Sequence, residues 1–326
     1  MMKTVLISAP YMLPEMKRFQ PVLEAFGLNI ITPTVNERLS EEEVLVYAGG
    51  FDGVICGDDR FSRRVIEACM PRLRVISKWG TGIDSIDREA ASEFGVAVCN
   101  TPNAFTVPVS ESVIGYLLAF SRQISRLDSA VKQGSWEKII GRTLAESTLG
   151  VVGVGHIGKA VIRRARAFGM EILGNDIIEI EPDFLLEYGV EMTSLDDLLS
   201  RADYVSINCN LNPTSYHLIN AETLSLFKPE AVLINTARGP IVDEKSLISA
   251  LQKGVLRGAA LDVFEIEPLP SDSPLRFMEQ VMLAPHNSNS SPLFWERVHW
   301  NTIRNLLIGL ELDVEPLEEL KEKYKP

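Results

Sequence analysis

Three side chains suited to acid–base chemistry follow strand-like apolar runs in the second half of the chain. They are Arg238, Glu267 and His286, and each comes a few residues after such a run. A guanidinium can bind a carboxylate and polarise a carbonyl, an imidazole can exchange a proton near neutral pH, and a nearby carboxylate favours the protonated imidazole. Such a set suits the reduction of a carbonyl beside a carboxylate. Alone, each could be a surface cation, a turn residue or a packed histidine.

A glycine-rich motif lies upstream of these residues. It matches the pattern G-x-G-x-x-G and consists of Gly153, Val154, Gly155, His156, Ile157 and Gly158. The strand-like run Thr148–Val152 comes just before it, and the helical stretch His156–Phe168 begins within it. In that setting Gly153 makes a tight turn, Gly155 lets a pyrophosphate approach and Gly158 lets helix and strand pack closely. The free N–H groups at the helix N-terminus attract the same pyrophosphate.

The residue type at position 176 distinguishes the two nicotinamide dinucleotides. Asp176 ends the next strand-like run, and its carboxylate would bind the adenosine ribose hydroxyls and repel a 2′-phosphate. Ile177 and Ile178 supply no cation for such a phosphate. The sequence therefore predicts NAD, with His156 at the mouth of the pyrophosphate site. No metal site is predicted, since the four cysteines contain no close pair.

Alternating strands and helices must position these residues. From Thr4–Ser8 to Val96–Cys99, β-branched runs alternate with amphipathic ones, which predicts a parallel sheet covered by helices. Two successive helical stretches, Val109–Arg122 and Ile124–Gln133, interrupt this pattern before a second series of strands begins. A final helix, Leu293–Leu312, needs an apolar surface and is expected to pack back on the first domain.

This organisation predicts two domains. We expect a substrate domain of residues 1–102 and 289–326, and a dinucleotide-binding domain of residues 103–288 inserted into it. The net charge of −12 disfavours nucleic acid and anionic lipid as partners. The longest apolar run, Val113–Phe120, is too short to span a membrane, and it is apolar on nearly every side, which predicts a homodimer. With no signal-peptide pattern at the start, a cytoplasmic location is expected.

Taken together, the motifs resemble the D-isomer-specific 2-hydroxy-acid dehydrogenase family, which includes phosphoglycerate dehydrogenases, glyoxylate and hydroxypyruvate reductases, and D-lactate dehydrogenases. The resemblance covers nearly the whole chain and rests on the glycine motif together with Gly80–Asp84, Thr101–Asn103, Asn235–Gly239, Leu261–Pro268 and Pro285–His286. It implies an α/β fold of two doubly wound parallel-sheet domains, a Rossmann NAD-binding domain inserted into a flavodoxin-like substrate domain. It also implies an active site in the cleft between them and NAD-dependent interconversion of a small D-2-hydroxy acid and its 2-keto acid.

The resemblance further implies a role for each matched residue. Arg238 would bind the substrate carboxylate and carbonyl, His286 would be the general acid and base, and Glu267 would hydrogen-bond to that histidine. The implied cofactor contacts are Thr81, Gly153, Gly155, His156, Ile157, Gly158, Asp176, Cys209, Thr236, Ala237 and Asp262. The implied substrate contacts are Lys78, Thr81, Gly82 and Arg238.

Several segments depart from the family pattern. Gly57-Asp58-Asp59 stands where phosphoglycerate dehydrogenases carry a phosphate-binding arginine, and Asp59 is interpreted as a cap for a helix starting near Arg60. The polar residues Asn287–Ser291 follow the histidine, where they could face a polar substrate or cap the next helix. The alternatives left open are a phosphoglycerate dehydrogenase and a dinucleotide-sensing protein of the co-repressor type.

Overall fold

The computed structural model describes residues 2–325, which form two compact units. One unit comprises the residues up to Ala104 and those from Ser291 onward, and the other is Phe105–Ser290. Within the described part of the chain, no helix has the length and apolar character needed to cross a membrane.

Residues 2–325 form twelve strands and thirteen α-helices. The strands are β1 Lys3–Ile7, β2 Leu28–Ile31, β3 Gly53–Cys56, β4 Val75–Lys78, β5 Ala97–Cys99, β6 Thr148–Val152, β7 Glu171–Asn175, β8 Val190–Met192, β9 Tyr204–Ile207, β10 Val232–Asn235, β11 Gly258–Leu261 and β12 Val281–Leu283. The helices are α1 Met16–Ala25, α2 Glu41–Leu45, α3 Arg63–Ala68, α4 Arg88–Glu93, α5 Thr106–Arg122, α6 Ile124–Lys132, α7 His156–Ala167, α8 Pro182–Tyr188, α9 Leu195–Arg201, α10 Ala221–Leu224, α11 Glu244–Gln252, α12 Pro292–Gly309 and α13 Pro316–Lys323. Short 3-10 helices lie at Leu13–Glu15, Leu144–Glu146, Gly239–Ile241 and Pro274–Phe277.

The first unit is built on a five-stranded parallel sheet with the order β2-β1-β3-β4-β5. This is the flavodoxin-like order. Helix α12, from the end of the chain, packs directly on this sheet: a Cβ atom at Gly309 would lie 2.4 Å from a methyl group of Val75. The hydroxyl of Ser77 also donates a hydrogen bond to the carbonyl of Thr302 at 2.8 Å. The chain thus returns to its first sheet, which makes the second unit an insertion, as predicted.

The second unit contains a seven-stranded parallel sheet with the order β12-β11-β10-β9-β6-β7-β8. Counted from β6, this is the Rossmann order with one further strand at the edge. The order reverses between β6 and β9, and ligands of such sheets bind beyond the carboxyl ends of the strands at that point. The fold class predicted from the sequence is confirmed.

Most boundaries predicted from the sequence lie within three residues of the observed ones. Helix α5 begins at Thr106, three residues before the predicted start, because Pro108 is tolerated in the first turn of a helix. One strand was missed. It is β8, a three-residue edge strand in which only Val190 is buried, so it lacks the apolar run by which the other strands were recognised.

Candidate active site

The glycine turn after β6 has the geometry that a dinucleotide requires. Gly153 adopts a φ of +91°, and a Cβ atom there would lie 2.5 Å from the backbone nitrogen of Cys209. At Gly158 a Cβ atom would lie 2.0 Å from the carbonyl oxygen of Gly153. Gly155 differs, since a Cβ atom there would have no atom of the described residues within 4 Å. The first and third glycines therefore pack against protein, and the second faces open space.

Helix α7 begins at this turn and is left uncapped. Gly155 is its N-cap residue and provides no side-chain hydrogen bond, so the first amide groups of the helix can bind an anion. Asp176, just beyond β7, is held against the same turn. Its carboxylate accepts hydrogen bonds from the backbone N–H of Val154 at 2.6 Å and of Ile178 at 3.2 Å. A carboxylate at the end of the strand after a glycine turn can bind the ribose of a dinucleotide, and this role of Asp176 stays a prediction.

Other residues that are predicted to contact the cofactor lie at the same edge of the sheet, and their side chains suit a dinucleotide. The hydroxyl oxygen of Thr236 is buried and has no hydrogen-bond partner among residues 2–325, so a bound group could satisfy it. Burial raises the pKa of the Cys209 thiol to about 11, which keeps this half-buried side chain neutral. His156 is exposed at the start of α7, and Ile157 and Ala237 are half-buried. These residues fit NAD.

His286 and Glu267 lie within hydrogen-bonding distance of each other. The Nδ1 atom of His286 is 3.1 Å from Oε2 of Glu267, and the two side chains are only 18% and 15% exposed. The second oxygen of Glu267 accepts a hydrogen bond from the backbone N–H of Phe264 at 3.0 Å. The carboxylate is thereby fixed in orientation, and it can hold the imidazole in one orientation in turn.

The backbone around His286 is organised by Asp262. His286 has a φ of +50°, and its N–H donates to the carbonyl of Asp262 at 2.8 Å. The buried carboxylate of Asp262 accepts the N–H groups of Asn287 at 2.8 Å and Ser288 at 2.9 Å. The polar segment after the histidine is therefore a turn tied to Asp262. Capping by its last residue is not observed, since Ser291 holds the N-cap position of α12 without a side-chain hydrogen bond.

Arg238 follows β10 and is brought close to the segment that carries Glu267. Its guanidinium donates to the carbonyl of Ala237 at 2.9 Å, and its own carbonyl accepts from the side chain of Asn235 at 2.9 Å. The next residue, Gly239, packs without any gap: a Cβ atom there would lie 1.9 Å from the carbonyl carbon of Phe264. Only glycine permits this approach of two active-site segments.

One acidic residue near the site was interpreted wrongly. Glu265 was expected to face solvent, yet its Oε1 atom lies 2.7 Å from Nε2 of His217, and both side chains are about one-third exposed (32% each). Sequence reasoning missed this pair because its members are 48 residues apart and share no local motif.

Lys78, a predicted substrate contact, lies at the end of β4 in the first unit. Its ammonium group is 3.1 Å from a carboxylate oxygen of Asp58 and donates to the carbonyl of Trp79 at 3.1 Å. The Lys78 side chain is only 5% exposed. Its charge is therefore offset within the first unit, and its contact with a substrate stays a prediction.

Asp59 is not the helix cap that the sequence suggested. Its carboxylate is buried and accepts hydrogen bonds from the Ser8 hydroxyl at 2.5 Å and the Leu39 N–H at 2.6 Å. Burial raises the pKa of this carboxyl group. Helix α3 starts later, at Arg63, with Ser62 as its N-cap. Asp59 instead links three segments of the first unit.

The loop that contains Thr81 and Gly82 is braced by the segment after β5. The Thr81 hydroxyl donates to the carbonyl of Thr101 at 3.0 Å, and the Thr101 N–H donates to the carbonyl of Gly80 at 2.8 Å. Thr81 is exposed and Gly82 is half-buried. Both remain candidates for binding a carboxylate through backbone N–H groups.

Comparison with known proteins links this site to one family. The family model described as "D-isomer specific 2-hydroxyacid dehydrogenase, NAD binding domain" matches residues 114–288. A glyoxylate reductase of Korarchaeum cryptofilum is 39% identical over 264 residues, covering 79% of each chain. A D-3-phosphoglycerate dehydrogenase of Methanocaldococcus jannaschii is also 39% identical, over 258 residues, and 78% of this chain matches 47% of that protein. The chain thus spans about half the length of that second relative.

A solved structure of a dehydrogenase also resembles this chain over almost its whole length. The D-lactate dehydrogenase of Aquifex aeolicus, in complex with NAD and lactic acid, superimposes with a TM-score of 0.82. The two sequences are 28% identical, and the match covers 98% of this chain and 97% of the other.

Proposed function

Because the chain belongs to the D-isomer specific 2-hydroxyacid dehydrogenase family, we propose that Arg238, Glu267 and His286 carry out its reaction. The protein is an NAD-dependent oxidoreductase that interconverts 2-hydroxy acids and 2-keto acids. The observation that carries the assignment of roles is the 3.1 Å contact between Glu267 and His286, beside the segment that continues from Arg238.

Each of these side chains has a defined role in the proposed reaction. Arg238 binds the substrate carboxylate and polarises the C2 carbonyl. Glu267 accepts a hydrogen bond from the Nδ1–H group of His286, which directs Nε2 to the substrate oxygen. His286 donates its Nε2 proton to that oxygen during reduction and takes it back during oxidation. When bound, the cofactor would supply the hydride chemistry at C2, with NAD+ as the acceptor in oxidation and NADH as the donor in reduction. Gly155 and the first turn of α7 would bind its pyrophosphate, and the other cofactor contacts that the sequence predicts remain part of this proposal.

We propose a small 2-keto acid as the substrate, with glyoxylate the first to test. The relative named glyoxylate reductase matches this chain over 79% of its own length, against 47% for the one named phosphoglycerate dehydrogenase. The Lys78–Asp58 ion pair supports the same choice, since a cation already paired with a carboxylate attracts a substrate phosphate less strongly. Lys78, Thr81 and Gly82 remain proposed substrate contacts.

We also propose a homodimer, but through a different surface from the one that the sequence suggested. Part of the run Val113–Phe120 is already used within the second unit, where Val113 and Leu117 are fully buried. The surplus apolar surface lies after it. Helix α6 has no buried residue, and Trp136 and Ile140 are 87% and 97% exposed. A nine-residue helix is not stable alone in water, so we propose that a second copy covers this arm, residues 123–143.

A cytoplasmic location completes the proposal. The four cysteines are free thiols, and Cys56 and Cys69 are buried. Free thiols are typical of reducing compartments.

The substrate proposal is tested by NADH oxidation with a panel of 2-keto acids. The panel contains glyoxylate, hydroxypyruvate, pyruvate and 3-phosphohydroxypyruvate, and Arg238→Ala is the control for activity at the proposed site. We expect the highest kcat/KM with one of the three unphosphorylated acids and little activity in the control. A clear preference for the phosphorylated acid would contradict the proposed substrate class, and an unimpaired control would contradict the role of Arg238.

A further inference from the structure

A second carboxylate–imidazole pair lies near the first, and its glutamate, Glu265, is two residues before Glu267. Glu267 contacts His286, and Glu265 contacts His217 at the shorter distance of 2.7 Å. His217 is anchored through its backbone, because its N–H donates to the carbonyl of Pro240 at 2.9 Å. The Tyr216 ring stacks on the imidazole with the ring centroids 4.1 Å apart. His217 is therefore a fixed point to which Glu265 is bound.

Glu265 is also joined to the start of helix α11. Its Oε1 atom lies 3.4 Å from the N–H nitrogen of Glu244, and its own N–H nitrogen lies 3.4 Å from a carboxylate oxygen of Glu244. Two carboxylates are thus close together, and burial followed by the charge of Glu265 raises the pKa of Glu244. Asp243 also interacts electrostatically with His217. An imidazole beside these two carboxylates can donate a hydrogen bond to Glu265.

The segment that contains Glu265 also packs closely against the turn after Arg238. The space at Gly239 is filled by the peptide unit of Phe264 and Glu265, with the Glu265 nitrogen only 2.5 Å from the position of a Cβ atom. The N–H of Phe264, which belongs to the preceding peptide unit, donates to Glu267 at 3.0 Å. Because Phe264 is shared by the two peptide units, a shift of Glu265 would also displace the N–H group that orients Glu267.

We propose that His217, acting through Glu265, is a positioning residue that holds Glu267 in place against His286. His217 exchanges no proton with the substrate in this account. It fixes one end of a three-residue segment, and the other end carries the carboxylate that orients the general acid. The inference rests on the roles proposed above for Glu267 and His286.

The test compares His217→Ala and His217→Gln with the unchanged enzyme. Alanine removes the donor, whereas the glutamine amide can still donate to Glu265. A misplacement of 1 Å at a catalytic group can cost about 100-fold in rate, so a partial release of Glu267 should lower kcat about 10-fold in His217→Ala. The KM for the keto acid and the Kd for NADH should change less than kcat, and His217→Gln should recover most of the rate. The matched control is Arg201→Ala, which breaks an ion pair with Glu191 in the same unit and should leave the kinetics unchanged.

A pH profile separates positioning from general stabilisation of the fold. Loosening Glu267 weakens its support of the His286 imidazolium, so the kcat profile for reduction should move toward lower pH in His217→Ala. Glu265→Ala should give the same shift, and the double variant should lose no more than either single variant because both act through one contact. A normal kcat and pH profile in His217→Ala, with only a lower melting temperature, would overturn the positioning role.

Glu267→Gln, measured in the same assay, tests the role of Glu267 separately from the positioning role of His217. We expect it to shift the pH profile in the same direction and further. If Glu267→Gln shifts the profile and His217→Ala does not, the positioning inference alone fails. If Glu267→Gln leaves the profile unchanged, the proposed role of Glu267 is wrong and the inference is overturned with it.

Discussion

One methyl group added at Gly239 should damage catalysis by displacing the segment that carries Glu267. In Gly239→Ala the new Cβ atom would lie 1.9 Å from the carbonyl carbon and 2.0 Å from the carbonyl oxygen of Phe264, whereas real Cβ contacts are not shorter than 3.0 Å. The Phe264–Glu265 peptide must therefore move by about 1 Å. Such a shift would lengthen the 3.1 Å contact between Glu267 and His286 to about 4 Å, beyond hydrogen-bonding distance.

The expected cost follows from that displacement. A 1 Å misplacement corresponds to roughly a 100-fold loss of kcat, or about 2.7 kcal/mol of transition-state stabilisation, and overpacking should lower the free energy of unfolding by about 1–3 kcal/mol. The assay is steady-state NADH oxidation with a saturating 2-keto acid, together with the melting temperature and NADH binding by fluorescence. Gly115→Ala is the control, since its Cβ would have no described atom within 4 Å. A Gly239→Ala enzyme with unchanged kcat and melting temperature would refute the close approach.

Three further predictions concern the cofactor, the assembly and acid stability. The unchanged enzyme should strongly prefer NADH to NADPH, and Asp176→Ala should narrow that preference by removing a carboxylate that repels a 2′-phosphate; equal use of both cofactors by the unchanged enzyme would contradict this. Light scattering should show a dimer that Trp136→Glu weakens, whereas a monomer at micromolar concentration before any substitution would contradict the proposed arm contact. Burial lowers the pKa of His299 from 6.5 to about 4 while its ring accepts a hydrogen bond from Trp79, so the unfolded chain takes up this proton first as the pH falls. The free energy of unfolding should therefore drop by up to about 3 kcal/mol between pH 6.5 and 4, and His299→Asn should flatten that dependence in urea titrations.

The sequence predicted the fold well because most of its determinants are local. Apolar runs of four or five residues mark the buried strands, and the glycine motif between β6 and α7 fixes the start of the second sheet. Strand β8 was missed, since an edge strand with one buried residue has no distinctive pattern. The turn after β3 was also misjudged, because an aspartate before a helical run predicts a cap whether or not it is buried.

For the candidate site too, features that depend on local motifs were predictable, whereas contacts between distant segments were not. Residues of the local glycine motif have the geometry that was expected, with a positive φ at the turn residue Gly153 and close packing at Gly158. Glu265 could not be assigned, because its partner His217 is brought near only by the folding of distant segments. The contacts of Asp262 with the turn after His286 were likewise absent from any sequence pattern, since they depend on how β11 and β12 end side by side.

In the proposed mechanism, His286 is the proton donor and His156 only helps to bind the cofactor. The direct test is the single-turnover rate of NADH oxidation by glyoxylate, or by the best keto acid of the panel, in His286→Ala and His156→Ala. We expect His286→Ala to slow this step by about 100-fold to 10,000-fold with NADH binding nearly intact. His156→Ala should weaken NADH binding while the step keeps its rate at saturating cofactor. A fully active His286→Ala enzyme beside an inactive His156→Ala enzyme would contradict the account.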